Sequence, residues 1–345
     1  MIFGRALPTV VLYAAVTLLL AVNVAYLLTH VSGGFGSSPA PGMAVAYPLY
    51  GTLIAFGDSI TEGGNSAANR GFVVRLADIF TRRLDVLNRG FSGYTTRNAL
   101  TVAGMVFPVM PPPPPKPSRL TVVQRALGLS QWSPAFPGKP RAPRLCLIFF
   151  GANDARVAPN AQHVPLDEFR VNLRRLVALL RDPASVHYSP TTRILLITPP
   201  AVGDRMMDEV ARREGRHPGW KNAVTKLYAQ AVMELAEEAA LPAIDLWTWI
   251  EEMVHGTAAT DWLGPRLPAE GEIAAGDSIA NITAAADGGS SPFEGYERFL
   301  ADGLHLNAGG NELLFRLVAA TIRETWPELE PRAAPVSEPQ LVANP

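Results

Sequence analysis

Four short blocks of the 345-residue chain carry groups that could react together. Gly57-Asp-Ser-Ile-Thr61 holds a hydroxyl, Ser59, behind a glycine. Gly90-Phe-Ser-Gly-Tyr94 offers backbone N–H groups around Gly93. Gly151-Ala-Asn-Asp154 offers the side-chain amide of Asn153, and Asp302-Gly-Leu-His305 sets a carboxylate three residues before an imidazole. A serine hydroxyl is a weak nucleophile, so it needs a base within hydrogen-bond reach. The base needs a carboxylate to orient it, and the oxyanion formed on attack needs donors. The chain supplies one of each. Taken singly, each block has a plainer reading. Ser59 reads equally as a helix cap, Gly93 as a turn glycine, Asn153 or Asp154 as a helix N-cap. His305 alone reads as a surface histidine with Asp302 as its solvated neighbour.

The elements that must position these blocks show in the apolar pattern. Strand-length apolar runs occupy 52–56, 85–88, 145–150, 193–198 and 242–246. Between them, apolar residues at helical spacing predict helices over 71–84, 167–181, 221–240 and 308–325. Strands apolar on both faces and alternating with helices define an α/β fold with a parallel sheet covered on both sides. The blocks at 57–61, 90–94 and 151–154 each follow a strand, where open parallel sheets place ligands. The block at 302–305 precedes the closing helix.

Composition narrows the chemistry. The chain lacks a Gly-x-Ser-x-Gly elbow, a His-Glu-x-x-His zinc motif, a P-loop and a Gly-x-Gly-x-x-Gly loop. Net charge is -1, which implies no pull toward nucleic acid. The single cysteine, Cys146, lies in an apolar strand and reads as a buried hydrophobe, so no internal disulfide or cysteine zinc site is available. No metal or cofactor is implied.

Outside the alternating region the sequence changes character. Residues Ala6 to Leu28 are uncharged and largely apolar, long enough to cross a bilayer at roughly 20 residues. Arg5 precedes the run, and no Lys or Arg follows until Arg70. This predicts a single-pass signal anchor over 1–30, with the remainder on the non-cytosolic side, lumenal or extracellular. A cleaved signal and a secreted protein is the alternative. Residues 31–48, rich in Gly, Ser and Pro, read as a flexible tether, and 49–327 as the domain that carries the four blocks. Two insertions, 107–144 and 256–291, interrupt it. The first contains a proline run at 111–117 of the kind that partner domains recognise as a polyproline helix. The second contains the sequon Asn281-Ile-Thr283, a possible glycosylation site. Residues 328–345 read as a disordered tail.

With these blocks in hand, the chain resembles the GDSL/SGNH hydrolases, and most closely their isoamyl acetate-hydrolysing esterase branch. The resemblance rests on 56–63, 87–97, 148–154, 194–200, 245–247 and 302–306, and spans residues 52 to about 320. It implies a flavodoxin-like three-layer fold with a five-stranded parallel sheet. It also implies a serine esterase without cofactor: Ser59 as nucleophile, His305 as base, Asp302 as its orienting carboxylate. The oxyanion hole would be formed by Ser59 N–H, Gly93 N–H and the Asn153 amide. The implied substrate is a carboxylic ester, short-chain in that branch. Two alternatives stay open: a lysophospholipase or thioesterase on the same fold, and a membrane-tethered binding protein with a vestigial site. The anchor-like N-terminus and the two insertions depart from the branch.

Overall fold

The computed structural model describes residues 50–110, 142–215, 217–256 and 293–330. The chain divides into Met1–Leu49 and Tyr50–Pro345, and every described residue belongs to the second unit. The anchor run, the tether, the proline run at 111–117 and Asn281 lie outside the described residues. So do most of both insertions and the tail from 331. Among the described residues no helix is long and apolar enough to cross a membrane.

Five parallel strands form one sheet: β1 (Gly51–Gly57), β2 (Leu84–Gly90), β3 (Leu145–Phe149), β4 (Arg193–Ile197) and β5 (Ala243–Ile244). Their order is β2-β1-β3-β4-β5, the flavodoxin-like arrangement. Side chains alternate across the sheet, and both faces are apolar. Leu53, Ala55, Leu147, Leu195 and Ile197 face one core. Ile54, Phe56, Cys146, Ile148, Ile194 and Leu196 face the other.

Each face is closed by helices whose apolar stripes meet it. On the second face lie α3 (Thr96–Val106), α4 (Leu166–Arg181) and α6 (Asn222–Glu238). In α4 the buried positions Phe169, Leu173, Leu176, Val177 and Leu180 repeat at helical spacing. Phe56 sits at the centre of this face, with ring edges directed at Phe91, Phe107 and Phe150 at centroid distances of 6.2, 5.6 and 4.9 Å. On the first face lie α2 (Phe72–Ile79), α5 (Asp204–Arg213), α7 (Leu246–His255) and α8 (Ala308–Thr325); a short α1 (Ser59–Gly63) follows β1. Helix α8 is tied to α2 by polar contacts inside the core. Asn311 Oδ1 accepts from Phe72 N at 3.1 Å, and the buried Glu312 pairs with Arg75 and Arg316.

Several boundaries differ from the sequence reading, for local reasons. The helix expected over 71–84 stops at Ile79, because Arg82 takes a positive φ as the chain turns into β2. The fifth strand keeps only two residues, since Asp245 already caps α7 by accepting from Thr248 N at 3.1 Å. Helices α3, α5 and α7 lie outside the helices that the spacing predicts. Helix α3 carries Gly104 in its interior, yet Asn98 closes its first turn by accepting from Thr95 N at 3.0 Å. In α5 only Met206, Met207 and Ala211 are buried, a stripe too narrow to register as a period. The expected tail start at 328 falls inside a 3-10 turn, Pro327–Leu329, whose Leu329 is buried in the core.

Candidate active site

The register of the parallel strands brings the loop blocks to one edge. Gly57 at the end of β1 pairs with Gly90 of β2 and with Phe149 of β3, so the residues that follow all three strands emerge together. The first of these loops is a tight entry into α1. Asp58 is buried and its Oδ1 accepts from Ile60 N at 2.9 Å. Ser59 is therefore the first helical residue, where the backbone N–H has no acceptor within the helix. The serine is the residue after the cap, and the cap role falls to Asp58.

The base arrives from the far end of the chain. A bridge between Leu300 and Leu306 closes a small loop, and Ala301 N donates to His305 O at 2.8 Å. Leu304 and Leu306 are buried and anchor it, while Asp302 and His305 stay half-exposed. Gly303 turns the loop at φ +92° and is itself held, Gly203 N donating to Gly303 O at 2.9 Å. A Cβ at Gly303 would stand 2.9 Å from Gly203 O and Met207 N, so a side chain is barred by both conformation and space. Asp302 Oδ1 accepts from Leu304 N and His305 N at 2.9 and 2.8 Å, which leaves Oδ2 facing His305 Nδ1 at 2.7 Å. His305 Nε2 lies 2.9 Å from Ser59 Oγ.

This chain of contacts fixes the protons. An ionised carboxylate only accepts, so Nδ1 carries the ring proton and Nε2 is left to accept from the serine hydroxyl. Burial pushes the Asp302 carboxyl up, but the His305 hydrogen bond and charge, with two backbone N–H groups, outweigh it and hold the carboxyl at about 2. The Asp302 hydrogen bond raises His305 above the ordinary histidine value of 6.5, against burial of the ring.

The remaining two blocks meet beside the serine loop. Phe91 N donates to Gly57 O at 3.0 Å, and Asn88 Nδ2 to Thr61 O at 2.6 Å, stitching the end of β2 and its following loop to the end of β1 and to α1. Gly93 has φ +77°, a conformation that favours glycine. Asn153 is buried, and its Nδ2 donates to Tyr94 O at 3.0 Å, so the third block reaches the second directly. Ser59, at the start of α1, and Gly93, Asn153, Asp302 and His305, in loops, thus lie at the carboxyl edge of the sheet. Such a cluster can activate a hydroxyl for attack on a carbonyl and surround the resulting oxyanion with donors.

Two further acids lie beneath it. Burial pushes Asp58 up to about 7 and Asp154 up to about 6. Asp154 accepts from Thr96 N at 3.0 Å and Thr96 Oγ1 at 2.5 Å, and so fastens the third block to the start of α3. Sequence reasoning left Asp154 open as an N-cap; it caps α3 from a distance. Thr96 has no spacing signal that would have linked it to residue 154. Among the described residues no group of three or more His, Cys, Asp or Glu could hold a metal ion.

Comparison with known proteins gives the family. Residues 55–313 match the GDSL-like Lipase/Acylhydrolase family, and the chain belongs to that family. It is a carboxylic ester hydrolase of the GDSL type. A GDSL esterase/lipase of Arabidopsis thaliana is 32% identical over 277 residues, which cover 79% of this chain and 86% of the relative. The isoamyl acetate-hydrolyzing esterase 1 homolog of Bos taurus is 30% identical over 297 residues, 86% of each chain. Among solved structures, a lipase/acylhydrolase from Enterococcus faecalis aligns with a TM-score of 0.44 at 21% identity, over 80% of this chain and 96% of that one.

Proposed function

We propose that this protein hydrolyses short-chain carboxylic esters through a covalent acyl-enzyme on Ser59. The observation that carries the reading is the unbroken line from Asp302 Oδ2 through the His305 ring to Ser59 Oγ, with contacts of 2.7 and 2.9 Å. His305 Nε2 takes the hydroxyl proton as Oγ bonds to the ester carbonyl carbon, and Asp302 stabilises the imidazolium that forms. The carbonyl oxygen becomes an oxyanion held by Ser59 N–H, Gly93 N–H and the Asn153 amide. Its collapse breaks the ester bond, and His305 returns the proton to the departing alcohol. Water then attacks the acyl-enzyme by the same route, releasing the acid and restoring Ser59. The relatives named for isoamyl acetate hydrolysis support a small acyl group and a small alcohol.

A fluorophosphonate probe should label the full chain on Ser59, and Ser59→Ala should abolish both labelling and turnover. A panel of p-nitrophenyl esters should give the highest kcat/KM at two to four acyl carbons. Undiminished labelling of Ser59→Ala overturns the mechanism, and an optimum at long acyl chains overturns the substrate class. The uncharged run from Ala6 to Leu28 behind Arg5 supports membrane tethering with the catalytic domain on the non-cytosolic side. Release of the full-length protein by carbonate extraction of membranes would refute the tether.

A further inference from the structure

The loop after β3 holds a polar chain with no hydrogen bond to Ser59 or His305, and its hydrogen-bonding roles have one solution. Arg156 Nη1 lies 2.5 Å from Gln162 Oε1. A guanidinium only donates, so the Gln162 atom facing it is the oxygen. The other end of that amide, Nε2, is 2.6 Å from Gly93 O and 3.4 Å from Asn153 Oδ1. A backbone carbonyl only accepts, which again makes that Gln162 atom the nitrogen. The Asn153 atom facing it must then be oxygen, leaving the Asn153 nitrogen on the opposite side, where it donates to Tyr94 O at 3.0 Å. An amide nitrogen carries two hydrogens, so one Asn153 N–H is still available.

We infer that Gln162 is a positioning residue for ester hydrolysis: it orients the Asn153 amide and seats the Gly93 turn so that both present donors to the oxyanion. The inference rests on the oxyanion role proposed above for these two residues. Gln162 and the Tyr94 carbonyl together fix which way Asn153 points, because the reversed amide would set its NH₂ against the Gln162 NH₂ and its oxygen against Tyr94 O. It also lies over Gly93, where an added Cβ would come within 3.2 Å of Nε2. Arg156 holds Gln162 from behind, and its own guanidinium is stacked 4.0 Å from the Trp220 ring centroid. Trp220 closes the circuit, its Nε1 donating to Ala152 O at 2.8 Å, one residue before Asn153. The amide that faces the substrate is thereby set by a ring of contacts through residues 152, 220, 156 and 162.

The test is the kinetics of Gln162→Met, Asn153→Ala and the double variant in the full chain, with p-nitrophenyl acetate as substrate. Methionine keeps the length of glutamine and removes the donor. Gln162→Met should lower kcat about 10-fold with KM within about 2-fold, the size expected for losing two ordinary hydrogen bonds that act through the transition state. Its acid limb should stay at the wild-type pH, since Gln162 has no hydrogen bond to Ser59 or His305. In the Asn153→Ala background the same change should cost about 3-fold, because only the contact to Gly93 O is left to lose. Gln162→Glu guards against misfolding. Its carboxylate pairs with Arg156 but cannot donate, and it should lose at least as much kcat as the methionine variant. Gln162→Met with kcat within 2-fold of wild type, while Asn153→Ala is impaired, overturns the inference alone. So does an undiminished 10-fold loss in the double variant, or a displaced acid limb. An Asn153→Ala enzyme with wild-type kcat overturns the oxyanion reading, and the inference with it.

Discussion

Asp302→Asn alters little of the site's shape and should reverse the proton on its base. Asp302 Oδ1 accepts from two backbone N–H groups at 2.9 and 2.8 Å, and Oδ2 accepts from His305 Nδ1 at 2.7 Å. Asparagine has a single oxygen to serve both places. Left on the backbone, it turns the NH₂ toward Nδ1, which must then accept. The ring proton moves to Nε2, and an N–H points at Ser59 Oγ where a base is required. Turned the other way, the NH₂ opposes two backbone donors and forfeits about 1 kcal/mol for each hydrogen bond, more once their desolvation is counted. The wrong tautomer is therefore the stable one. Together with the lost stabilisation of the imidazolium, the expected fall in kcat is about 10⁴-fold, or about 5.4 kcal/mol of transition-state stabilisation. Steady-state hydrolysis of p-nitrophenyl acetate from pH 5 to 10 measures it, and ¹⁵N spectra of the imidazole read the tautomer. In the wild type, activity should rise with pH through a value above 6.5, because neutral His305 is the active form and Asp302 raises its pKa. In the variant, burial of the ring is left without the carboxylate, and the acid limb of the residual activity should move down. Asp302→Asn with kcat within about 10-fold of wild type at pH 8 refutes this account of the loop.

Three other outcomes follow from the same contacts. Asn153→Ala should lower kcat roughly 10²–10³-fold with KM little changed, and a rise in KM alone would make Asn153 a substrate contact. Asp58→Asn keeps the acceptor for Ile60 N and removes a carboxyl whose pKa burial raises from 3.8 to about 7. A raised carboxyl favours the folded state below 3.8 and loses that contribution as pH climbs through about 7. The variant's stability relative to wild type should therefore grow between pH 4 and 8, by roughly 1–4 kcal/mol, and a pH-independent difference in urea melts would contradict it. Phe56→Ala empties the centre of the second core and should destabilise by about 3–5 kcal/mol in the same melts, with a loss under 1 kcal/mol arguing that the aromatic cluster collapses around the gap.

The sheet was legible in the sequence because β1, β3 and β4 are apolar on both faces, a pattern that few other elements produce. The positions of the candidate groups were legible for a related reason: each block follows a strand or precedes a capped helix, so its location did not depend on tertiary detail. The placement of Asp302 and His305 three residues apart also survives, since the short bridge around them is a local structure. What stayed hidden depends on contacts between distant loops. Thr96 meets Asp154 across 58 residues, and Gln162 meets Gly93 across 69. Neither pair has a period or a shared motif. Helix α5 was hidden for a different reason, being mostly solvated, and β5 was overestimated because Asp245 serves the next helix rather than the ladder.

The contact between Ser59 and His305 joins residues 246 apart. One partner leads out of the first strand, and the other is held by the loop that opens the last long helix, which docks on α2. On the proposed mechanism a nascent chain that ends before His305 has no base, so hydrolysis should begin only after residue 305 has been made. Non-local closure of this sort is slow, because chain entropy opposes it until the end. Turnover consequently doubles as a clock for folding. The delay between release of the polypeptide and the first hydrolysed ester should time the docking of α8, while spectroscopic helix content would rise earlier.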